Sequence, residues 1–271
     1  MVKGATMGTR LHPALCALVG VGLMFLPAGP AYLWLWPNVR GTEWLLPVQV
    51  AVYAYFLAGT LLIARGRWSL GQLGLNRLGI GLGVVCGALF SAGRIVILLG
   101  TNIPLAAQPP SLTTLALDTV FYFAVVGLVE ELLFRGLIYR ALEDWRGLGW
   151  AIWGSSLLFG LYHVGWQGPL GGVATGFAGL FFACLRWRGG GIVGIILAHG
   201  LIDITAAAVL PSLDLAELGW VRLTSPPLVV LGYALLLGLP PYLWLVHPRL
   251  ARALGGTGRG APPAETLSHR R

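Results

Sequence analysis

Apolar positions along the chain keep no strict alternation with polar ones. They run together in blocks of about twenty residues, separated by short polar or basic connections. A helix needs about 17–25 apolar residues to cross the hydrocarbon core of a bilayer, and the pattern predicts eight such helices. They are placed at Leu11–Trp36, Leu45–Ala64, Leu78–Leu99, Thr114–Tyr139, Leu148–Trp166, Pro169–Leu185, Gly191–Leu210 and Pro227–Val246. Pro27 and Pro30 are expected to shorten or kink the first. Lys3 and Arg10 precede that block as they would a signal peptide, but the run is too long and ends in bulky YLWLW, so an uncleaved span is expected. The pattern ends at Val246, and residues 247–271, rich in Gly, Pro and Arg, are expected to form a flexible basic tail. The fold class expected is all-α: a single transmembrane domain over residues 1–246, with about eight helices around a polar intramembrane cavity.

Composition agrees. Of 271 residues, 56% are hydrophobic and 10% charged, against roughly 25% charged in soluble domains. The net charge of +8 suggests nucleic acid until its distribution is mapped. With eight spans, alternate connections share a side. Nearly all Lys and Arg outside the spans then fall on one side, and the other receives only Arg40 and Arg222. This is the positive-inside signature, with both termini in the cytoplasm, and it excludes a nucleic-acid footprint. Most tryptophans fall near the block ends, where amphipathic rings favour the interface. Gly79, Gly83 and Gly87 form overlapping G-x-x-x-G units, as do Gly172 and Gly176. No Gly-Lys-Ser/Thr follows, so close helix packing is expected rather than phosphate binding. Cys16, Cys86 and Cys184 have unrelated spacings and suggest no disulfide framework.

Few ionisable residues interrupt the blocks: Arg94, Asp118, Glu130, Glu131, Arg135, His163, His199 and Asp203. Arg94 is placed near the outer end of its span, where it can snorkel. A charge at mid-span costs about 2.5–3.5 kcal/mol, so the deep residues need partners and a function. At 1.5 Å rise per residue, Glu130 and His199 lie roughly 15 Å from the cytoplasmic helix ends, and His163 and Asp203 roughly 21 Å. Glu131 and Arg135 are i, i+4 and suit an intrahelical salt bridge. Glu130 is turned about 100° away and is expected to face neighbouring helices. His199 and Asp203, also i, i+4, share a face. Imidazoles and carboxylates together can ligate a divalent metal such as zinc or run acid–base hydrolysis of an amide. They can equally form a proton or ion relay in a transporter. The metalloprotease signature H-E-x-x-H is absent. Ser155 and Ser156 precede His163, with no G-x-S-x-G or Ser–Lys pattern to mark a nucleophile.

The ordered motifs Glu130-Glu131-Leu-Leu-Phe-Arg135 (E-E-x-x-x-R), Phe159-Gly-Leu-Tyr-His163 (F-x-x-x-H) and His199-Gly-Leu-Ile-Asp203 (H-x-x-x-N/D) resemble the CAAX prenyl endopeptidase family and its bacterial relatives, the CPBP or Abi group. The stretch Ser69–Leu75 also looks like that group, and the core resemblance covers residues 121–208. It implies an intramembrane endopeptidase acting on membrane-associated peptide or protein substrates, with its cavity open to the cytosol. By this resemblance Glu130 is the general base that activates water, aided by His163. Glu131 and Arg135, with Phe159, hold the site geometry, and His199 and Asp203 stabilise the oxyanion or bind metal. A metal, if present, is expected on Glu130, His163, His199 and Asp203. Position 203 is Asp where the prenyl-protein proteases carry Asn, and since an ionised carboxylate cannot donate to an oxyanion, Asp203 is expected either to be protonated by burial, to orient His199 or to ligate a metal. A proton- or ion-coupled transporter and a non-catalytic immunity or scaffold protein are the competing expectations.

Overall fold

The computed structural model describes residues 12–39, 41–101, 103, 110–209 and 224–238. Its regular elements are all helical, with no β-strand among the described residues. They are α1 (Pro13–Val39), α2 (Leu45–Ala64), α3 (Ile80–Leu99), α4 (Leu112–Arg146), α5 (Leu148–Gly189), α6 (Val193–Val209) and α7 (Pro226–Tyr233), the last continuing into a π-type stretch, Ala234–Gly238. Among the described residues four helical stretches are long and apolar enough to cross a membrane: Leu45–Ala64, Ile80–Leu99, Leu112–Arg146 and Gln167–Gly189. Ala14–Pro27, Val193–Ala208 and Pro226–Leu236 are apolar but shorter. The expected tail, 247–271, lies outside the described residues.

The sequence boundaries hold closely for α2 and within two residues at either end of α3 and α6. Other elements depart from them for physical reasons. α1 runs through Pro27, Pro30 and Pro37 as one helix, where an interior proline ordinarily breaks or kinks one. α4 extends seven residues past Tyr139, to Arg146, because that last stretch is held by its own polar contacts: Arg140 pairs with Glu143 at 3.2 Å and Asp144 at 2.8 Å. α5 turns back on itself at Gly168, whose φ of 71° suits glycine, followed by Pro169. The two expected blocks on either side of that residue therefore become the legs of one hairpin. Many large apolar side chains face outward, among them Leu33, Trp34, Leu62, Leu112 and Leu170, which suits lipid rather than water.

Two compact units divide the chain, one of Met1–Gln72 with Leu133–Ala183, the other of Leu73–Leu132 with Cys184–Arg271. In the first, α1 packs on α2 and on the end of α4. Its centre is aromatic: Phe25 and Phe56 lie 5.0 Å apart, Phe56 and Tyr162 5.8 Å, and Phe134 and Phe159 5.0 Å. Such offset and edge contacts suit the ring quadrupoles. The legs of the α5 hairpin touch through backbone. A Cβ on Gly160 would lie 2.7 Å from the Gly172 carbonyl oxygen and 3.0 Å from Gly176 Cα, so the second G-x-x-x-G pair packs as expected.

In the second unit α3 lies along α6. A Cβ on Gly83 would collide with the Gly194 backbone, and one on Gly87 would come 2.6 Å from Ala198 Cα. Rising numbers meet rising numbers, so the two helices run parallel. α3 also packs on α7, at Gly93 against Gly232 and Leu236. Below α3, Gly74 at φ 96° turns the chain so that its carbonyl accepts the Ile192 N–H at 2.7 Å, while Asn76 Nδ2 donates to the Gly190 carbonyl at 3.3 Å. These bonds pin the start of α3 to the start of α6.

Candidate active site

Glu130 and Glu131 occupy a four-residue α-helical stretch, Leu128–Glu131, between two π-type stretches, Phe121–Gly127 and Leu132–Ile138. Such widened turns recur at functional sites in helices. The first of them lies against α6. A Cβ on Gly127 would lie 3.2 Å from the Ile196 carbonyl oxygen, and one on Gly200 would strike the Phe123 ring. Two glycines thus let α4 and α6 meet closely, one turn before Glu131 and one residue after His199.

At that contact His199 is ringed by carboxylates. Its Nδ1 lies 2.7 Å from Glu131 Oε1. On the other side of the ring, Nε2 lies 3.3 Å from Asp203 Oδ2 and 3.9 Å from Glu130 Oε2. Glu130, Glu131 and His199 are buried, and Asp203 retains partial exposure. A carboxylate only accepts, so Nδ1–H donates to Glu131. With Asp203 ionised as well, both ring nitrogens donate and the ring is an imidazolium. The i, i+4 spacing of His199 and Asp203 does what the sequence predicted. Glu131 does more than the sequence predicted, since it grips the imidazole of another helix, and both glutamates address the same ring.

Arg135, Phe159 and His163 belong to the first unit. Arg135 is fully buried. Its Nη2 donates to the Gly179 carbonyl at 3.0 Å, and its guanidinium stands 4.1 Å from the Phe159 ring centroid and 5.2 Å from that of Phe182. Stacking on aromatic faces suits the planar guanidinium, and it explains why Phe159 accompanies the histidine motif. His163 is buried, with Nδ1 2.8 Å from the Phe159 carbonyl oxygen. A carbonyl only accepts, so Nδ1 carries the proton and Nε2 is the basic nitrogen of the neutral ring.

Ser155 and Ser156 both turn their hydroxyls back to the Ile152 carbonyl, at 3.4 and 2.6 Å, the usual fate of serine within a helix. Among the described residues no group of three or more His, Cys, Asp and Glu side chains is arranged to hold a metal ion. Sequence reasoning missed the parts played by Gly127, Gly200 and Phe182. A glycine beside each polar motif was the available signal.

Residues 112–205 match the family model described as Rce1-like, type II CAAX prenyl endopeptidase. No curated protein and no solved structure matches the chain. The matched stretch runs from the start of α4 into α6 and contains all three motifs. Over this segment, 94 of its 271 residues, the chain is similar to the Rce1-like type II CAAX prenyl endopeptidases.

Proposed function

We propose that the protein is an intramembrane endopeptidase that hydrolyses peptide bonds of membrane-associated substrates. The observation that carries this reading is the convergence of Glu130, Glu131 and Asp203 on His199 within apolar helices. Glu130 takes a proton from water, and the water oxygen attacks the substrate carbonyl carbon. His163, whose basic nitrogen is Nε2, assists as the family resemblance assigns. The imidazolium of His199, held through Nδ1 by Glu131 and through Nε2 by Asp203, supplies a positive charge beside the oxyanion. Asp203 only accepts hydrogen bonds when ionised, so it orients His199 instead of donating to the oxyanion. The proton held by Glu130 passes to the amide nitrogen as the C–N bond breaks. Arg135 and Phe159 keep the helix pair in place. A divalent metal such as zinc would call on Glu130, His163, His199 and Asp203 and would supply Lewis-acid activation of the water. Dialysis against a chelator separates the two routes: cleavage that survives it runs on the carboxylate and imidazole alone, and cleavage lost and restored by zinc assigns a metal to these residues.

The test is cleavage of a membrane-associated peptide by purified protein in liposomes. Glu130→Gln is expected to lower the rate by about 10²–10⁴-fold while leaving the protein folded. Undiminished cleavage by that variant overturns the mechanism. Ion flux with no proteolysis favours the transporter reading. The same reading includes about eight spans, both termini in the cytoplasm and a cavity open to the cytosol.

A further inference from the structure

Three carboxylates meet around one imidazole in the second unit. Like charges a few ångströms apart in an apolar setting repel strongly, and the His199 ring is shared between Glu131 at Nδ1 and Asp203 at Nε2. The unit contains a further cation that the proposed mechanism does not use, Arg94 on α3. Snorkelling toward the outer interface would carry its guanidinium away from the helices. Instead it is half-buried and turns onto α6, where Nη1 donates to the Ile202 carbonyl at 3.4 Å, next to Asp203. Ser91, one turn earlier on the same face, donates to the Leu201 carbonyl at 3.4 Å. The parallel glycine contacts at Gly83 and Gly87 fix the register that brings Arg94 to this level of α6. The bond to the carbonyl that precedes Asp203 brings a positive charge to that turn of α6.

We infer that Arg94 is a positioning residue for the proposed peptidase: it is the counter-ion of Asp203 and holds that carboxylate in line with His199 Nε2. The inference rests on the peptidase reading for its kinetic consequence and on α3–α6 packing for its structural one. It also gives a reason for an aspartate at position 203, since a charged residue there suits a cation supplied by α3, and an amide would not need one.

The test is a double-mutant cycle with Arg94→Gln, Asp203→Asn and both together, in the full-length protein in liposomes. Both the thermal midpoint and the kcat and KM for peptide cleavage are measured. Arg94→Gln alone is expected to lower kcat about tenfold with little change in KM, and to lower the midpoint. In the Asp203→Asn background the same change is expected to cost neither further kcat nor further midpoint. Arg94→Lys, which keeps the charge, is expected to retain most of kcat. Equal losses in both backgrounds overturn the pairing. Where Asp203→Asn alone silences cleavage, the midpoints decide. Coupled midpoints in a protein that cleaves nothing uphold the pair and sink the peptidase reading, whereas additive midpoints beside active cleavage do the reverse.

Discussion

Glutamine in place of Glu131 keeps the side chain's shape and removes the charge that receives the His199 Nδ1 proton. Leaving a buried group with a poorer partner costs about 1–3 kcal/mol. Glu131→Gln is therefore expected to lower the thermal midpoint in detergent as well as the rate, and an unchanged midpoint would contradict the 2.7 Å bond. Arg135→Lys keeps the charge but loses the planar stack on Phe159 and Phe182. A loss of about 1–2 kcal/mol is expected, read as a lower midpoint on thermal unfolding. At this scale the sequence disclosed which residues matter, because ionisable groups stand out in an apolar chain. It did not disclose their partners. Helical spacing relates residues on one helix, so it offered Arg135 to Glu131. The His199 ring lies 68 positions away, on a helix whose approach is set by packing, and nothing in local spacing points to it. Phe134 and Phe182 likewise read as apolar filler until Arg135 was seen between aromatic faces.

Helices pack here through glycine, and the individual glycines differ sharply. Gly83 faces the Gly194 backbone with no room for a methyl group, whereas Gly22 on α1 has open space where a Cβ would be. Gly83→Ala is expected to separate α3 from α6, lowering the midpoint and activity together. Gly22→Ala is expected to be neutral or to stabilise by up to about 1 kcal/mol, the ordinary helical gain over glycine. Equal effects at the two positions would refute the α3–α6 contact. The G-x-x-x-G spacing announced these contacts, and block length announced α2, α3 and α6 almost to the residue. The π-type stretches on either side of Glu130 and Glu131 were not legible, since no residue preference marks them; the first, Phe121–Gly127, lies against α6. The polar end of α4 was cut short because an apolar criterion stops at Tyr139, while Arg140, Glu143 and Asp144 continue the helix by pairing among themselves.

Across the whole molecule, the proposed orientation with both termini in the cytoplasm rests on charge asymmetry. Reporter fusions at the two ends are expected to score as cytoplasmic, and an external score for either would reverse the orientation of the proposed cavity. The all-helical fold class was legible because lipid demands long apolar helices, whereas the division into two compact units, each assembled from separated stretches of chain, was not. The parallel pairing of α3 with α6 has a further consequence for biogenesis. More than ninety residues separate the two helices, so α3, with Arg94, is synthesised well before its partner exists. Glu130 and Glu131 also emerge ahead of His199. During insertion these charges must wait in the translocon or among lipids without their final companions, and the hydrolytic centre is completed only when α6 arrives. On the proposed reading, a nascent chain that stalls before α6 lacks the centre altogether, so incomplete molecules are expected to cleave nothing in the membrane.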